Sequence, residues 1–430
     1  MNIKHLYNFF KNSSGISTDT RQIKQNNIFF ALKGNNFDAN KFAKQAIEKG
    51  AMLAVISDKK YEIKGKTFLV DDSLKTLQEL AKYHRNKLNT KIFGITGTNG
   101  KTTTKELIFR VLSKKYNTIA TKGNLNNHIG VPLSLLSMTE KTEFAVIEMG
   151  ANHPGEIAQL CQLSQPDYGI ITNIGHAHLE GFGSLENLIN TKLALFDYVK
   201  KNKGFFLLNT DDEILNKHIK NYDKIIKYGN SSDSIVKITE SFNEIFVKIV
   251  AYYNNANHLI NSKLVGKYNI SNILAAIAAG IVCGVPENDI DEAIEQYNPQ
   301  NNRSQLYKTK YNTLVLDMYN ANLSSMKAAI ENFAELDLHR KMLIIGDMLE
   351  LGQTEIEDHQ KIVDLIKNLN FKDVILVGKR FKKCKLESEY KTFDNVEDLN
   401  KYLQQNPLKN YSILIKASNG TGLKKCVEFL

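Results

Sequence analysis

The feature that most constrains this chain is a recurrence. Short unbroken apolar runs end in Gly-, Asn- or His-rich turns and lead into helical stretches. Lys91-Ile-Phe-Gly-Ile-Thr, Phe144-Ala-Val-Ile-Glu-Met and Tyr168-Gly-Ile-Ile-Thr-Asn do so in the middle of the chain. Thr313-Leu-Val-Leu-Asp, Lys341-Met-Leu-Ile-Ile-Gly-Asp, Asp373-Val-Ile-Leu-Val-Gly and Ser412-Ile-Leu-Ile-Lys repeat the pattern towards its end. Strands apolar on both faces must be covered on both, and alternation with helices makes them parallel sheets. The fold class is therefore α/β. A smaller unit of the same kind runs from Phe29 to about Asp72, with a helix expected over Ser73 to Leu88. At about 150 residues per domain, 430 residues suggest three domains. Their expected bounds are 1–88, 89–299 and 300–430, with a linker in the polar stretch Tyr297-Asn-Pro-Gln-Asn-Asn-Arg303. Apolar alternation over Ile235 to Val250 suggests a hairpin inserted in the middle unit.

Composition narrows the function classes. The 56 Lys and Arg against 46 Asp and Glu give a net charge of +10, and 42% of residues are apolar. That is an ordinary globular mixture and not a disordered one. The longest small and apolar run, Leu274 to Val285, is too short to span a bilayer and reads as a buried helix. No secretory signal opens the chain, so a cytoplasmic protein without membrane insertion is expected. Four separated cysteines, Cys161, Cys283, Cys384 and Cys426, form no zinc or disulfide spacing and read as reduced packing residues. The basic residues are dispersed, with no interleaved aromatic stripe, so no nucleic-acid partner is expected and an anionic small molecule explains the excess equally well.

Gly94-Ile-Thr-Gly-Thr-Asn-Gly-Lys101-Thr102-Thr103 joins a strand to a helix, where backbone N–H groups and the helix dipole can cradle a polyphosphate. It is a variant of the G-x-x-x-x-G-K-[ST] loop, because Ile95 stands at the first Gly position. Lys101 would put its charge on the phosphates and the Thr102 hydroxyl would ligate Mg²⁺. Such a loop alone does not separate kinase, GTPase, motor and ligase. Glu148 ends an apolar strand and so falls at the carboxyl edge of the sheet, where ligands of open α/β sheets bind. Asn173-Ile-Gly-His-Ala-His178 reaches the same rim.

The phosphate-loop string, together with Gly123-Asn-Leu-Asn-Asn-His-Ile-Gly-Val-Pro132, Ala145 to Glu156 and Ile171 to Ser184, resembles the Mur ligase family from end to end. Tyr319-Asn-Ala-Asn322 and Gly346-Asp-Met-Leu-Glu-Leu-Gly352 resemble the branch that joins D-alanyl-D-alanine to UDP-N-acetylmuramoyl-tripeptide. That resemblance implies a central phosphate-loop ATPase domain between an amino-terminal uridine-nucleotide domain and a carboxy-terminal Rossmann-like domain. ATP and Mg²⁺ are implied as cofactors. Gly97, Thr98, Asn99, Gly100, Lys101, Thr102 and Thr103 would take the ATP phosphates. Thr102, Glu148, His178 and Lys192 would serve the metals, Lys192 as a carbamate. Lys101, Lys192 and His178 are the implied catalytic set. Asn269 and Asn272 would lie near adenine, and Arg303 and Asp317 would reach ATP from the third domain. Thr20, Arg21, Lys33, Gly34, Asn126, Asn127, Tyr319, Asn320 and Asn322 are the implied substrate contacts, in a protein expected to be a monomer. Leu193-Ala194 after Lys192, His128, Tyr268, Leu316 and Leu323 depart from the family pattern without removing a phosphate or metal group.

A carboxylate activated as an acyl phosphate and then attacked by the dipeptide amine needs mainly positioning and charge neutralisation. His359 and Asp347 are candidates for any general base. Three other readings remain open: a different Mur step or a folylpolyglutamate synthetase, a nucleic-acid-dependent NTPase, and a non-catalytic nucleotide-binding regulator.

Overall fold

The computed structural model describes residues 3–175, 179–300, 303–349 and 351–430. Its centre is a six-stranded parallel sheet in the order Ile225–Tyr228, Phe205–Asn209, Tyr168–Ile171, Lys91–Thr96, Phe144–Glu148, Thr118–Ala120. After Lys91–Thr96 the chain goes to one side of that strand for its next two strands and to the other side for the following three. Such a switch leaves a crevice at the carboxyl ends of the strands. The apolar side chains of the two neighbouring strands Lys91–Thr96 and Phe144–Glu148 alternate between two cores. Ile92, Ala145 and Ile147 pack under helices Glu156–Ser164 and Leu185–Lys201, and Phe93, Ile95 and Val146 under helices Lys101–Ser113 and Ile270–Val282. The second helix is buried almost throughout, as the apolar run from Leu274 implies.

The amino-terminal unit is a four-stranded parallel sheet, Ile16–Ser17, Ile28–Phe30, Leu53–Ile56 and Thr67–Leu69. Helix Ser73–Arg85 carries it onto the central unit. Buried Arg85 donates from Nε to Ser164 O (3.0 Å) and from Nη2 to Asp167 Oδ2 (3.3 Å), so its charge is paired at the junction.

The hairpin expected over 235–250 is present as Val236–Ser241 and Phe246–Tyr253, but a third antiparallel strand, Ala256–Val265, completes it. The third sheet orders Gln305–Lys308, Thr313–Asp317, Ser412–Lys416, Lys341–Gly346, Asp373–Val377 and Lys391–Phe393, with only the first antiparallel. Its faces are covered by helices Leu323–Glu335 and Glu355–Asn368 on one side and Val396–Gln405 on the other. The four cysteines are free. No helix among the described residues is long and apolar enough to cross a membrane.

Candidate active site

The loop after Lys91–Thr96 is shaped by the neighbouring strand end. Gly94 is not part of it: it lies inside the strand, where a Cβ would come within 2.7 Å of Met149. Gly97 has φ +145°, and a Cβ there would fall 2.0 Å from Thr172 Oγ1. Asn173 O accepts from the Thr98 N–H (3.0 Å), and Asn173 Oδ1 from the Asn99 N–H (3.0 Å). Thr172 Oγ1 and Asn173 Nδ2 both donate to Asn99 O, at 2.6 and 3.0 Å. Thr98 Oγ1 exchanges hydrogen bonds with the Gly175 backbone. Thr172 escaped the sequence reading, although it precedes an asparagine already placed on the rim. The N–H groups of the first turn of helix Lys101–Ser113 have no intrahelical partner and point into the crevice with the dipole's positive end.

Lys101 Nζ donates to Gly97 O (2.7 Å) and Thr98 O (2.9 Å), folding back over its own loop. Burial pushes its ammonium down to about 8; Glu148 opposes that shift and Arg303 adds to it. Lys192, from helix Leu185–Lys201, donates from Nζ to the same Gly97 O at 3.0 Å. Only 5% of this residue is exposed. Burial first, and Lys101 second, hold its amine well below the ordinary lysine range.

Glu148 sits at the sheet edge with both oxygens engaged. Oε2 accepts from Thr102 Oγ1 and Oε1 from Asn126 Nδ2, each at 2.8 Å. Its backbone N–H donates to Thr121 Oγ1 (3.0 Å), and fully buried Lys105 donates to Thr121 O (2.6 Å). A carboxylate beside a hydroxyl offers hard oxygen donors. Among the described residues no group of three His, Cys, Asp or Glu forms a cage. Mg²⁺ typically takes one or two protein carboxylates and completes its shell with water and substrate phosphates, so this donor set fits it. His178 lies outside the described residues.

These groups line a cleft of about 890 Å³ whose other wall belongs to the third sheet. Arg303 stacks on Tyr319, with the guanidinium carbon 3.4 Å from the ring centroid. Asp317 ends one strand and Lys416 its parallel neighbour, in register. Lys416 Nζ lies 2.5 Å from Asp317 Oδ2, and the lysine is 1% exposed. Sequence reasoning missed Lys416, because a lysine closing a strand looks solvated until the pairing partner is known.

Asn269 and Asn272 do share one side of their helix start, and they bond to each other: Asn272 Nδ2 donates to Asn269 Oδ1 (2.9 Å). Thr104 Oγ1 donates to Asn272 Oδ1 (3.0 Å), and Asn269 Nδ2 to Ser304 Oγ (3.0 Å). Gly97 through Thr103, Asn126, Asn127, Glu148, Lys192, Asn269, Asn272, Arg303, Asp317, Tyr319 and Asn320 all line the cleft. Asn127 also has a local duty, its Oδ1 accepting from the N–H groups of Ile129 and Gly130.

Some expected groups are elsewhere. Thr20, Arg21, Lys33 and Gly34 lie on the amino-terminal unit and are not among the residues lining this cleft; exposed Arg21 pairs with Asp19 at 2.8 Å. Asn322 does not line the cleft either but reaches the phosphate loop. His359 and Asp347 are ruled out as bases. His359 is fully buried, its Nε2 accepts from the Met348 N–H (3.0 Å), and its Nδ1 faces Glu355 O. Both ring nitrogens are thus committed. Asp347 accepts from the N–H groups of Arg380 and Phe381 and holds that turn.

The chain matches three family profiles in order: Mur ligase family, catalytic domain over residues 12–85; Mur ligase middle domain over 95–280; and Mur ligase, glutamate ligase domain over 302–419. It is 35% identical to the UDP-N-acetylmuramoyl-tripeptide--D-alanyl-D-alanine ligase of Bacillus subtilis, covering 97% of this chain and 93% of that one. The Escherichia coli protein of the same name is 34% identical over 85% of this chain and 81% of its own. Among solved structures, MurF ligase from Thermotoga maritima in complex with ADP superposes with a TM-score of 0.85 at 25% identity, covering 98% of this chain and 97% of that one. MurF from Acinetobacter baumannii gives 0.82 at 28% identity, covering 96% and 92%. With a phosphate loop, a rim carboxylate and a third sheet closing one cleft, and family matches along nearly its whole length, the chain belongs to the Mur ligase family.

Proposed function

We propose that this protein joins D-alanyl-D-alanine to UDP-N-acetylmuramoyl-tripeptide at the expense of ATP, through an acyl phosphate, as the last cytoplasmic step of peptidoglycan precursor synthesis. The observation that carries this reading is the convergence of the loop 97–103, Glu148 and the third-sheet pair Asp317 and Lys416 on one cleft, in a chain that matches ligases of that name in Bacillus subtilis and Escherichia coli over most of its length. Residues 1–88 hold the uridine nucleotide, 89–299 the ATP and 300–430 the dipeptide. The protein works as a monomer.

The loop N–H groups and Lys101 bind and neutralise the polyphosphate. For this, Lys101 exchanges two carbonyl acceptors for phosphate oxygens and regains its ordinary basicity. Thr102 and Glu148 would hold Mg²⁺, and His178 and a carbamate on Lys192 would serve a second ion. Such an ion would supply charge neutralisation for the phosphate group as it is transferred. Lys192 suits carbamate formation because its amine is buried beside another cation, which favours the neutral, nucleophilic form. Arg303, held flat on Tyr319, faces the nucleotide from the third sheet. Water is kept from the acyl phosphate by the two walls. The dipeptide's α-amine has an ordinary pKa near 8, so a useful neutral fraction exists without a strong base.

The test is phosphate release from ATP with purified protein, UDP-N-acetylmuramoyl-tripeptide and D-alanyl-D-alanine, omitting each in turn. Release that needs both acceptors supports the reading. Release with folate or DNA instead, or none with both acceptors, refutes it.

A further inference from the structure

The Asn322 side chain has almost no capacity left for a substrate. Its Oδ1 accepts from the Ser325 N–H and from the Ser324 hydroxyl, both at 2.9 Å, and its Nδ2 donates to Asn99 Oδ1 at 2.9 Å. One N–H remains uncommitted. Asn99 Nδ2 donates to Ser324 Oγ at 2.9 Å, which closes a ring of three side chains. Two of them open helix Leu323–Glu335, where Asn322 and Ser325 form a reciprocal cap; the third is in the phosphate loop. The Asn99 backbone is fixed separately, by Thr172 and Asn173. The loop therefore keeps its shape whether or not the ring is made, while the ring ties the start of helix Leu323–Glu335 to the loop, beside the bonds that Lys267 makes to Asn332 and Glu335 further along that helix.

We infer that Asn99, Asn322 and Ser324 are positioning residues: their ring seats the third sheet on the phosphate loop and so aims Arg303 and Asp317 at the bound nucleotide. The inference rests on the ligase reading for its kinetic consequences but not for the ring itself. It replaces the expectation that Asn322 is a substrate contact.

The experiment uses the full chain, wild type against Asn322→Ser, Ser324→Ala, Asn99→Ala and the double variant Asn99→Ala/Asn322→Ser. Serine still caps a helix but is too short to reach Asn99. Losing one such hydrogen bond should lower the ligation kcat roughly tenfold in each single variant. The double variant should fall no more than about twofold further, because all the variants open the same ring. The KM for D-alanyl-D-alanine should stay within about twofold in every variant and the ATP affinity within about twofold in Asn322→Ser and Ser324→Ala, while the thermal midpoint of Asn322→Ser should fall only as far as the loss of the ring's own hydrogen bonds allows. A dipeptide KM raised in Asn322→Ser but not in Asn99→Ala would overturn the inference, as would losses that multiply in the double variant. Solution scattering supplies the readout that survives if no ligation is seen at all: the double variant should have the larger radius of gyration, and equal radii refute the ring as a tether.

Discussion

Gly100→Ala is the most informative single change in the nucleotide loop. Gly100 has φ +79° at the start of helix Lys101–Ser113, a left-handed conformation that costs an L-residue roughly 1–2 kcal/mol. A Cβ there would also lie 2.5 Å from Asn272 Oδ1 and 3.2 Å from its Cγ. Asn272 cannot retreat freely: it is 4% exposed and bonded to Thr104 and Asn269. Moving it leaves buried polar atoms unpaired at about 1–3 kcal/mol. The two costs together predict about 2–5 kcal/mol of destabilisation, read from urea denaturation of the ligand-free protein. Asn272→Ala alone should cost about 1–3 kcal/mol, since it strands the same partners. In the double variant the steric part vanishes, so the combined loss should fall short of the sum by about 1–3 kcal/mol. Additivity to within about 0.5 kcal/mol would refute the claim that Asn272 buttresses the loop, leaving backbone strain as the whole effect.

Lys101→Met should abolish ligation while leaving uridine-nucleotide binding intact, as calorimetry with each ligand would show. In the wild type the Lys101 ammonium titrates at about 8 before nucleotide binds and higher afterwards. The bound state therefore holds more protons, ATP affinity falls as pH rises through 8, and roughly half a proton is taken up at pH 8, measurable in buffers of different ionisation heat. Lys192→Ala should be inactive and partly rescued by a short carboxylic acid; no rescue, with an intact mass showing unmodified Lys192 in the wild type, would remove the carbamate. Glu148→Ala should lower kcat roughly hundredfold or more and abolish the response to added Mg²⁺, while EDTA does the same to the wild type. Lys416→Met should cost roughly 3–5 kcal/mol by stranding Asp317, and Asp317→Asn in that background should recover part of it.

Much of this site was legible because its parts are local. A phosphate loop needs a strand, a glycine-bearing turn and a helix in immediate succession, and a rim carboxylate needs only an apolar run that ends in Glu, as at Glu148. What escaped the reading depends on which strands are neighbours. Lys416 gains meaning only when its strand is placed in register beside Asp317, 99 residues away. The strand Ala256–Val265 was missed because its inward face carries His258 and Ser262 and its exposed face Leu259, which blur the alternation until the strand is paired with Phe246–Tyr253. Asn322 shows a different limit. Its place before Leu-Ser-Ser is a helix-cap signal in its own right, yet a motif resemblance assigned it to the substrate. A cap asparagine and a ligand asparagine compete for the same oxygen, and here that oxygen is already given to Ser324 and Ser325. Resemblance identified the residue as important, but only the hydrogen-bond count says what it is free to hold. By the same count, Glu148 has spent one lone pair of each oxygen, on Thr102 and on Asn126, and keeps the other on each, so it can take a metal without giving up either neighbour.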